Sequence, residues 1–330
     1  MIAVLNTLSM EDNVILKAKE LSVEIDGALI LEKMNLDVYA GELLGIIGLS
    51  GSGKTTLLSS LIGVFEPLTG DVYFSHTTKD NRKIMKSVNS LKEAFRQKIG
   101  FSSQLPSFYS SLTVTENLKF FASFYNLDKY TQDERIKILL DLFDLYLFKD
   151  KIADSLSGGM KRRLDIACAM INNPKILILD EPTGDLDPIL KKQLWYLIKK
   201  INQKGTTVVL ASHLVSDLEL LCDRIVILAD GKILKIGTPL ELKSTVLQGE
   251  KIILESIPGN YTNISKEIES NNSVSSIITE GQRLVIYAKF GAPVLKSLLP
   301  ILEKLRERVI EISMSKPSLD EIFENIVGKS

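Results

Sequence analysis

Residues 43–56 read LLGIIGLSGSGKTT, an unbroken apolar run that ends in a glycine-rich loop and passes directly into KTTLLSSLIGVF. The run has the length of a strand buried on both faces, and the segment after it spaces its apolar residues as a helix does. Strand, glycine loop and helix in this order form a P-loop, whose pattern G-x-x-x-x-G-K-[ST] runs here from Gly48 to Thr55. The feature demands a parallel, helix-covered sheet, because the strand must deliver the loop to a helix N-terminus. Gly48, Gly51 and Gly53 let backbone N–H groups converge on phosphate oxygens, with Ser50, Ser52 and Thr56 in the same cradle. Lys54 neutralises the β and γ charges, and the Thr55 hydroxyl can ligate Mg²⁺. Nucleotide binding is the first expectation.

The rest of the chain fits around this unit. Val14–Ile25 and Met34–Ala40 alternate apolar with polar, as half-buried strands of an antiparallel layer do. ILILD (176–180) and TTVVLAS (206–212) follow helical stretches and are read as further parallel strands buried on both faces. Between Leu112 and Asn172 the apolar residues recur three and four apart, so a helical subdomain, about 105–172, is expected to be inserted in the sheet. After about Thr245 the pattern becomes strand, helix, two strands around Gly281, helix and strand. That order, β-α-β-β-α-β, predicts a small α+β ferredoxin-like domain. Pro300 falls inside its second helix, where a proline kinks or interrupts. The predicted division is a tail over 1–13, a nucleotide-binding core over 14–245 and an accessory domain over 246–330.

Composition excludes several partners. With 40 basic and 41 acidic residues the net charge is −1, so no overall field recruits nucleic acid or an anionic membrane. The start MIAVLNTLSMED has no basic lead or sustained apolar region, and no stretch reaches the ~20 apolar residues of a spanning helix. Any membrane role is therefore expected to come through a partner. Cys168 and Cys222, the two cysteines, have apolar helix-like neighbours and no metal-ligand spacing, which suits buried packing in a reducing cytosol.

Other polar residues fall at strand ends, where open α/β sheets bind ligands. Asp180 closes ILILD and is assigned to Mg²⁺, and Glu181 beside it to the attacking water as general base. His213 ends the strand TTVVLASH, where an imidazole can donate to phosphate or serve a structural bond. Gln104, after IGFSS, can touch Mg²⁺ or water, or satisfy a loop. The stretch SLSGGMKRR (155–163) begins a helix that Ser157 can cap, and Gly158 and Gly159 permit close approach to an anion at its N-terminus. Read in isolation, Lys161, Arg162 and Arg163 would be a solvated face of that helix.

GLSGSGKTT, Gln104, LSGGM, ILILDEP, Asp185-Leu186-Asp187 and His213 occur in the order found in ATP-binding cassette (ABC) transporter ATPases, which the chain resembles from about Val14 to Thr245. The resemblance implies an ABC-type P-loop NTPase core: a mixed sheet, an antiparallel layer and a helical subdomain. It also implies that two such domains pair head to tail around two Mg-ATP, so that Ser157 and Gly159 of one chain contact the γ-phosphate held by the other. Gln104 and LPSFYSSLTVTENL would then receive a coupling helix from an integral membrane permease on the cytoplasmic face. GTPLELK and PSLDEIF are similar to the extension carried by the drug, lipid and polysaccharide exporter branch. Three residues depart from the family pattern: Met160 where Gln is usual, Asp185 where a small residue is usual, and Ile25 where an aromatic stacks on adenine.

The expected function is thus an ATP-hydrolysing subunit, a homodimer around two Mg-ATP, driving a separate permease that exports its cargo. A non-transport ABC ATPase is the alternative. Repair members carry a long coiled coil within the cassette and translation members carry two cassettes per chain, and neither feature is in the sequence. A P-loop kinase would leave LSGGM unexplained.

Overall fold

The computed structural model describes residues 13–78, 80, 82–184, 186–246 and 249–327. Two units emerge, Met1–Thr238 and Pro239–Ser330. The division falls ahead of the 245/246 boundary read from the sequence, because the helix Pro239–Val246 packs against the last helix of the second unit. The tail expected over 1–13 lies, apart from Asn13, outside the described residues, as does Asp185.

The first unit opens with a hairpin of β1 (Val14–Ile25) and β2 (Ala28–Tyr39), turning at Asp26 and Gly27. Both turn residues have positive φ, 51° and 79°. This is the two-residue turn whose twist matches the flanking strands, and Asp-Gly favours it. Next come β3 (Leu43–Ile47), α1 (Lys54–Leu61), β4 (Thr69–Thr77), β5 (Lys83–Ser87), α2 (Lys92–Arg96) and β6 (Ile99–Ser102). The helical insertion follows as α3 (Val114–Ala122), α4 (Lys129–Leu142) and α5 (Gly158–Ala169). The unit closes with β7 (Ile176–Asp180), α6 (Pro188–Gln203), β8 (Thr207–Ser212), α7 (Val215–Leu221), β9 (Arg224–Ala229) and β10 (Lys232–Gly237).

Two sheets result. One is antiparallel, in the order β2-β1-β4-β5, and the other runs β10-β9-β3-β8-β7-β6, parallel except for the β10–β9 pair. β3, β7 and β8 are buried at every residue, which is why they read as continuous apolar runs. Each large aliphatic side chain there contributes roughly 1.5–3 kcal/mol through burial. Between the sheets lies a core that includes Leu16, Leu44, Leu57 and Val226, with the Phe74 and Phe95 rings 4.9 Å apart. The helices have defined starts. Thr113 forms a capping box with Glu116 on α3, and Asp187 caps α6 by accepting from Ile189 N and Leu190 N, with Pro188 at the first helical position.

The second unit contains α8 (Pro239–Val246), β11 (Glu250–Ile257), α9 (Tyr261–Ile268), β12 (Val274–Glu280), β13 (Arg283–Ala288), α10 (Gly291–Lys304), β14 (Arg308–Ser315) and α11 (Leu319–Val327). Its antiparallel sheet has the order β12-β13-β11-β14, the ferredoxin-like arrangement, with α9 and α10 packed over Ile252, Leu254, Leu284 and Ile286. α10 runs through Pro300 without ending. Pro300 faces solvent, so water can satisfy the carbonyl whose helical partner it removes.

Candidate active site

The P-loop leaves β3 at Ile47 and enters α1 at Lys54, as the sequence predicts. Two glycines are fixed by geometry. A Cβ on Gly48 would lie 2.5 Å from the Leu228 carbonyl oxygen, and Gly53, the residue before α1, has φ of 100°. Lys54 lies across the loop it belongs to. Its Nζ donates to the carbonyls of Gly48 (2.8 Å) and Leu49 (3.1 Å) and stands 3.9 Å from Glu181 Oε1. Burial pushes the Lys54 amine below its ordinary pKa, against the opposing pull of Glu181 and Asp180.

Parallel register brings the other strand ends to the same edge of the sheet. Asp180, at the end of β7, accepts at Oδ2 from the Thr55 hydroxyl at 2.8 Å. Its Oδ1 is buried without a hydrogen-bond partner, and burial raises its pKa, with the Thr55 bond opposing. An unpartnered buried carboxylate oxygen beside a hydroxyl is a hard oxygen donor set, and it fits Mg²⁺. Among the described residues no group of three or more His, Cys, Asp or Glu could hold a metal ion. Mg²⁺ typically takes only one or two carboxylates and completes its shell with phosphates and water, so the set suits an ion that arrives with a nucleotide. Glu181, the next residue, has φ of 45° and is nearly buried. Its Oε2 lies 2.9 Å from His213 Nδ1, beyond β8. An ionised carboxylate only accepts, so Nδ1 donates and Nε2 is left to accept or, when protonated, to donate.

These residues surround a cleft of about 400 Å³, lined by Ser50, Gly51, Gly53, Lys54, Thr55 and Thr56 on one side. Gln104, Glu181, Gly184 and His213 line the other. Gly48, Ser52 and Asp180 stand behind this surface. The Ser52 hydroxyl is buried without a partner and faces Gly48. Ile25 packs against the core beside the hairpin turn, and the residue of that hairpin that lines the cleft is Ile30, on β2. Its aliphatic side chain gives a base apolar contact but no stacking surface.

Ser157, Gly158 and Gly159 do not line this cleft. Ser157 caps α5, its hydroxyl accepting from Met160 N at 3.4 Å, and Ser157 and Gly158 are exposed. The chain thus presents, apart from the P-loop, an open helix N-terminus.

Arg162 does not belong to a solvated face. It is nearly buried, and its guanidinium donates to the carbonyls of Ser103, Asp180 and Pro182. Asp165, wholly buried three residues on, accepts from the Ser102 hydroxyl and from the N and Oγ of Ser107. The helical face could have indicated this: Arg162 lies three residues after buried Gly159 and four before buried Ile166. Lys161 and Arg163 pair with Asp154 and Asp144 near the surface.

Comparison with known proteins agrees with this geometry. Residues 31–184 match the ABC transporter family. The chain is 32% identical over 298 residues to ABC transporter A family member 11 of Dictyostelium discoideum, covering 87% of this chain and 34% of that protein. It thus spans about a third of that relative's length. It is 31% identical over 304 residues to the linearmycin resistance ATP-binding protein LnrL of Bacillus subtilis (strain 168), covering 91% of this chain and 94% of that one. Among solved structures, the dimeric ATP-binding cassette MJ0796 in a post-hydrolysis state, bound to ADP and Pi, has a TM-score of 0.58 and 30% identity. That alignment covers 68% of this chain and 98% of the cassette.

Proposed function

Since the chain belongs to the ABC transporter ATP-binding proteins, we propose that it hydrolyses ATP to ADP and phosphate at a site shared by two copies, and so drives a membrane permease. The observation that carries this is the joining of P-loop and strand end: Thr55 bonded to Asp180, with Lys54 beside Glu181 and Glu181 beside His213. The P-loop N–H groups and Lys54 would grip the β- and γ-phosphates. Thr55 and Asp180 would hold Mg²⁺, with Gln104 at the rim. When bound, Mg²⁺ supplies charge neutralisation on the phosphates. Glu181 would take the proton from the attacking water, with His213 Nδ1 fixing its carboxylate and Nε2, when protonated, donating to the γ-phosphate.

The exposed N-terminus of α5 cannot serve the chain's own P-loop cleft, which it does not line, and a partner's nucleotide is the ligand it suits. Pairing head to tail makes each cradle half of a different site. Among the described residues no helix is long and apolar enough to cross a membrane. Association with the membrane is therefore assigned to a permease, met at Gln104 and LPSFYSSLTVTENL, where Leu105 and Tyr109 stay exposed. Export is the favoured direction, on the likeness to a resistance protein over nearly its whole length. The test is Glu181→Gln. It should bind Mg-ATP as the wild type does, hydrolyse it on the order of 10²–10⁴-fold more slowly, and accumulate as an ATP-bound dimer in sedimentation. Hydrolysis near the wild-type rate would remove Glu181 from the role of base.

A further inference from the structure

One side chain joins the open helix N-terminus to the catalytic strand end. Arg162 lies one turn into α5 beyond Ser157, and its Nη2 donates to the Asp180 carbonyl at 2.8 Å while Nε donates to the Pro182 carbonyl at 3.0 Å. These two carbonyls flank Glu181. Glu181 itself sits in the left-handed region, with φ of 45°, where a non-glycine residue stays only when its surroundings hold it. The same guanidinium donates through Nη1 to the Ser103 carbonyl at 2.7 Å, next to Gln104. Behind it, Asp165 Oδ2 lies 3.6 Å from Nη1, and Asp165 is fixed by Ser102 and Ser107. Neither neighbour shares this position, since Lys161 pairs with Asp154 and Arg163 with Asp144 and Gln193.

Resting on the ATPase reading above, we propose that Arg162 is the positioning residue for Glu181, and that it transmits engagement of Ser157–Gly159 by the partner's nucleotide to the carboxylate of its own site. The planar guanidinium suits this role because its donors form a rigid fork that fixes how the carbonyls are placed relative to one another, whereas an ammonium is a point donor on a flexible stem. The helix supplies the lever. Ser157 and Gly158 are exposed at its start, Arg162 is nearly buried and hydrogen-bonded one turn later, and a shift of the first moves the second. Each site then senses whether the opposite one is closed.

The experiment uses the full chain with Mg-ATP and compares wild type, Arg162→Gln and Arg162→Lys, each also in a Glu181→Gln background. Arg162→Gln should lower kcat on the order of ten- to a hundredfold, as misplacement of a catalytic group does, with KM within about twofold. Arg162→Lys should restore little of it. In single turnovers the Gln substitution should add no further loss once Glu181 is Gln, since no carboxylate remains to be placed. The double variant should still form the ATP-bound dimer. The proposal is overturned if Arg162→Gln loses ATP affinity and thermal stability together, if its fold-loss is the same in the Glu181→Gln background, or if lysine restores full rate. A wild-type chain without ATPase activity would overturn the ATPase reading itself, and the inference with it, before any variant is compared.

Discussion

Thr55→Val removes one hydroxyl and almost no volume, so its effect isolates the bond to Asp180. In the wild type Asp180 Oδ2 accepts that bond at 2.8 Å while Oδ1 has no partner, and the residue is 1% exposed. The variant leaves both oxygens of a buried carboxylate without a side-chain donor. A hydrogen bond to a charged group is worth about 1.5–3 kcal/mol, and because Thr55 faces the open cleft water can replace part of it, so a loss of about 1–2 kcal/mol is expected. For a unit of this size that lowers Tm by about 2–8 °C. The deficit has a sign with pH. Burial already raises the Asp180 pKa and Thr55 opposes the rise, so the variant pushes it further up. A group whose pKa is raised on folding contributes stability below the usual carboxylate range and loses it as pH rises through the folded value. The gap between variant and wild type should therefore be widest near neutrality and shrink on acidification through that raised pKa. Thermal melts at several pH values without nucleotide read it directly. An unchanged Tm at neutral pH, or a gap that stays constant on acidification, would refute the assignment of this bond.

Two further predictions concern the hairpin and the second unit. Among the described residues no aromatic side chain apart from the His213 ring lines the cleft, so phosphate contacts should dominate and ATP should be only weakly preferred over GTP. Ile30→Tyr, at the hairpin position that lines the cleft, should tighten ATP by up to the roughly 1–3 kcal/mol of a base–aromatic stack, and titration of both nucleotides against both proteins decides it. In the second unit Glu307 accepts from Gly259 N, Asn260 N and the Ser256 hydroxyl. Burial pushes its pKa up but these donors outweigh it, and the pKa ends below its ordinary value. Glu307→Gln should destabilise this unit by about 1–3 kcal/mol near neutrality. Because a depressed pKa contributes stability above the usual carboxylate range and loses it as pH falls through the folded value, the difference should close in acid, as denaturant melts would show.

How far the sequence reaches depends on whether a residue's surroundings are local. LLGIIG, ILILD and TTVVLAS declare themselves because a parallel strand covered on both faces must be apolar throughout. The P-loop, Asp180, Glu181 and His213 are legible for a related reason, since each follows such a run and parallel register carries all of them to one edge. β5 carries no such signal: its five residues KIMKS are exposed or half-buried on an edge strand, and α2 is a single short turn. Arg162 is legible only in part, since the face it shares with Gly159 and Ile166 hints at burial but not at its partners. It stands in a run of three cations, and the carbonyls of Asp180, Pro182 and Ser103 that make it a clamp arrive from distant parts of the chain. Ile30 entered the cleft through the Asp26–Gly27 turn, which sets the register of β2 against β1 and so decides which side chain faces the nucleotide side.

We propose that one chain's P-loop and another's Ser157–Gly159 make one site. Mixing Lys54→Ala chains with Ser157→Arg chains tests it most directly. Each variant alone has every site broken, by a lost phosphate ligand in the first and by an obstructed helix N-terminus in the second. A heterodimer pairs the intact P-loop of the Ser157→Arg chain with the intact Ser157 of the Lys54→Ala chain. If equal amounts exchange freely into symmetric pairs, half are mixed and each mixed pair has one intact site, so up to roughly a quarter of wild-type ATPase activity should return. Substantial activity in either variant alone, or a mixture no more active than its components, would contradict the shared site.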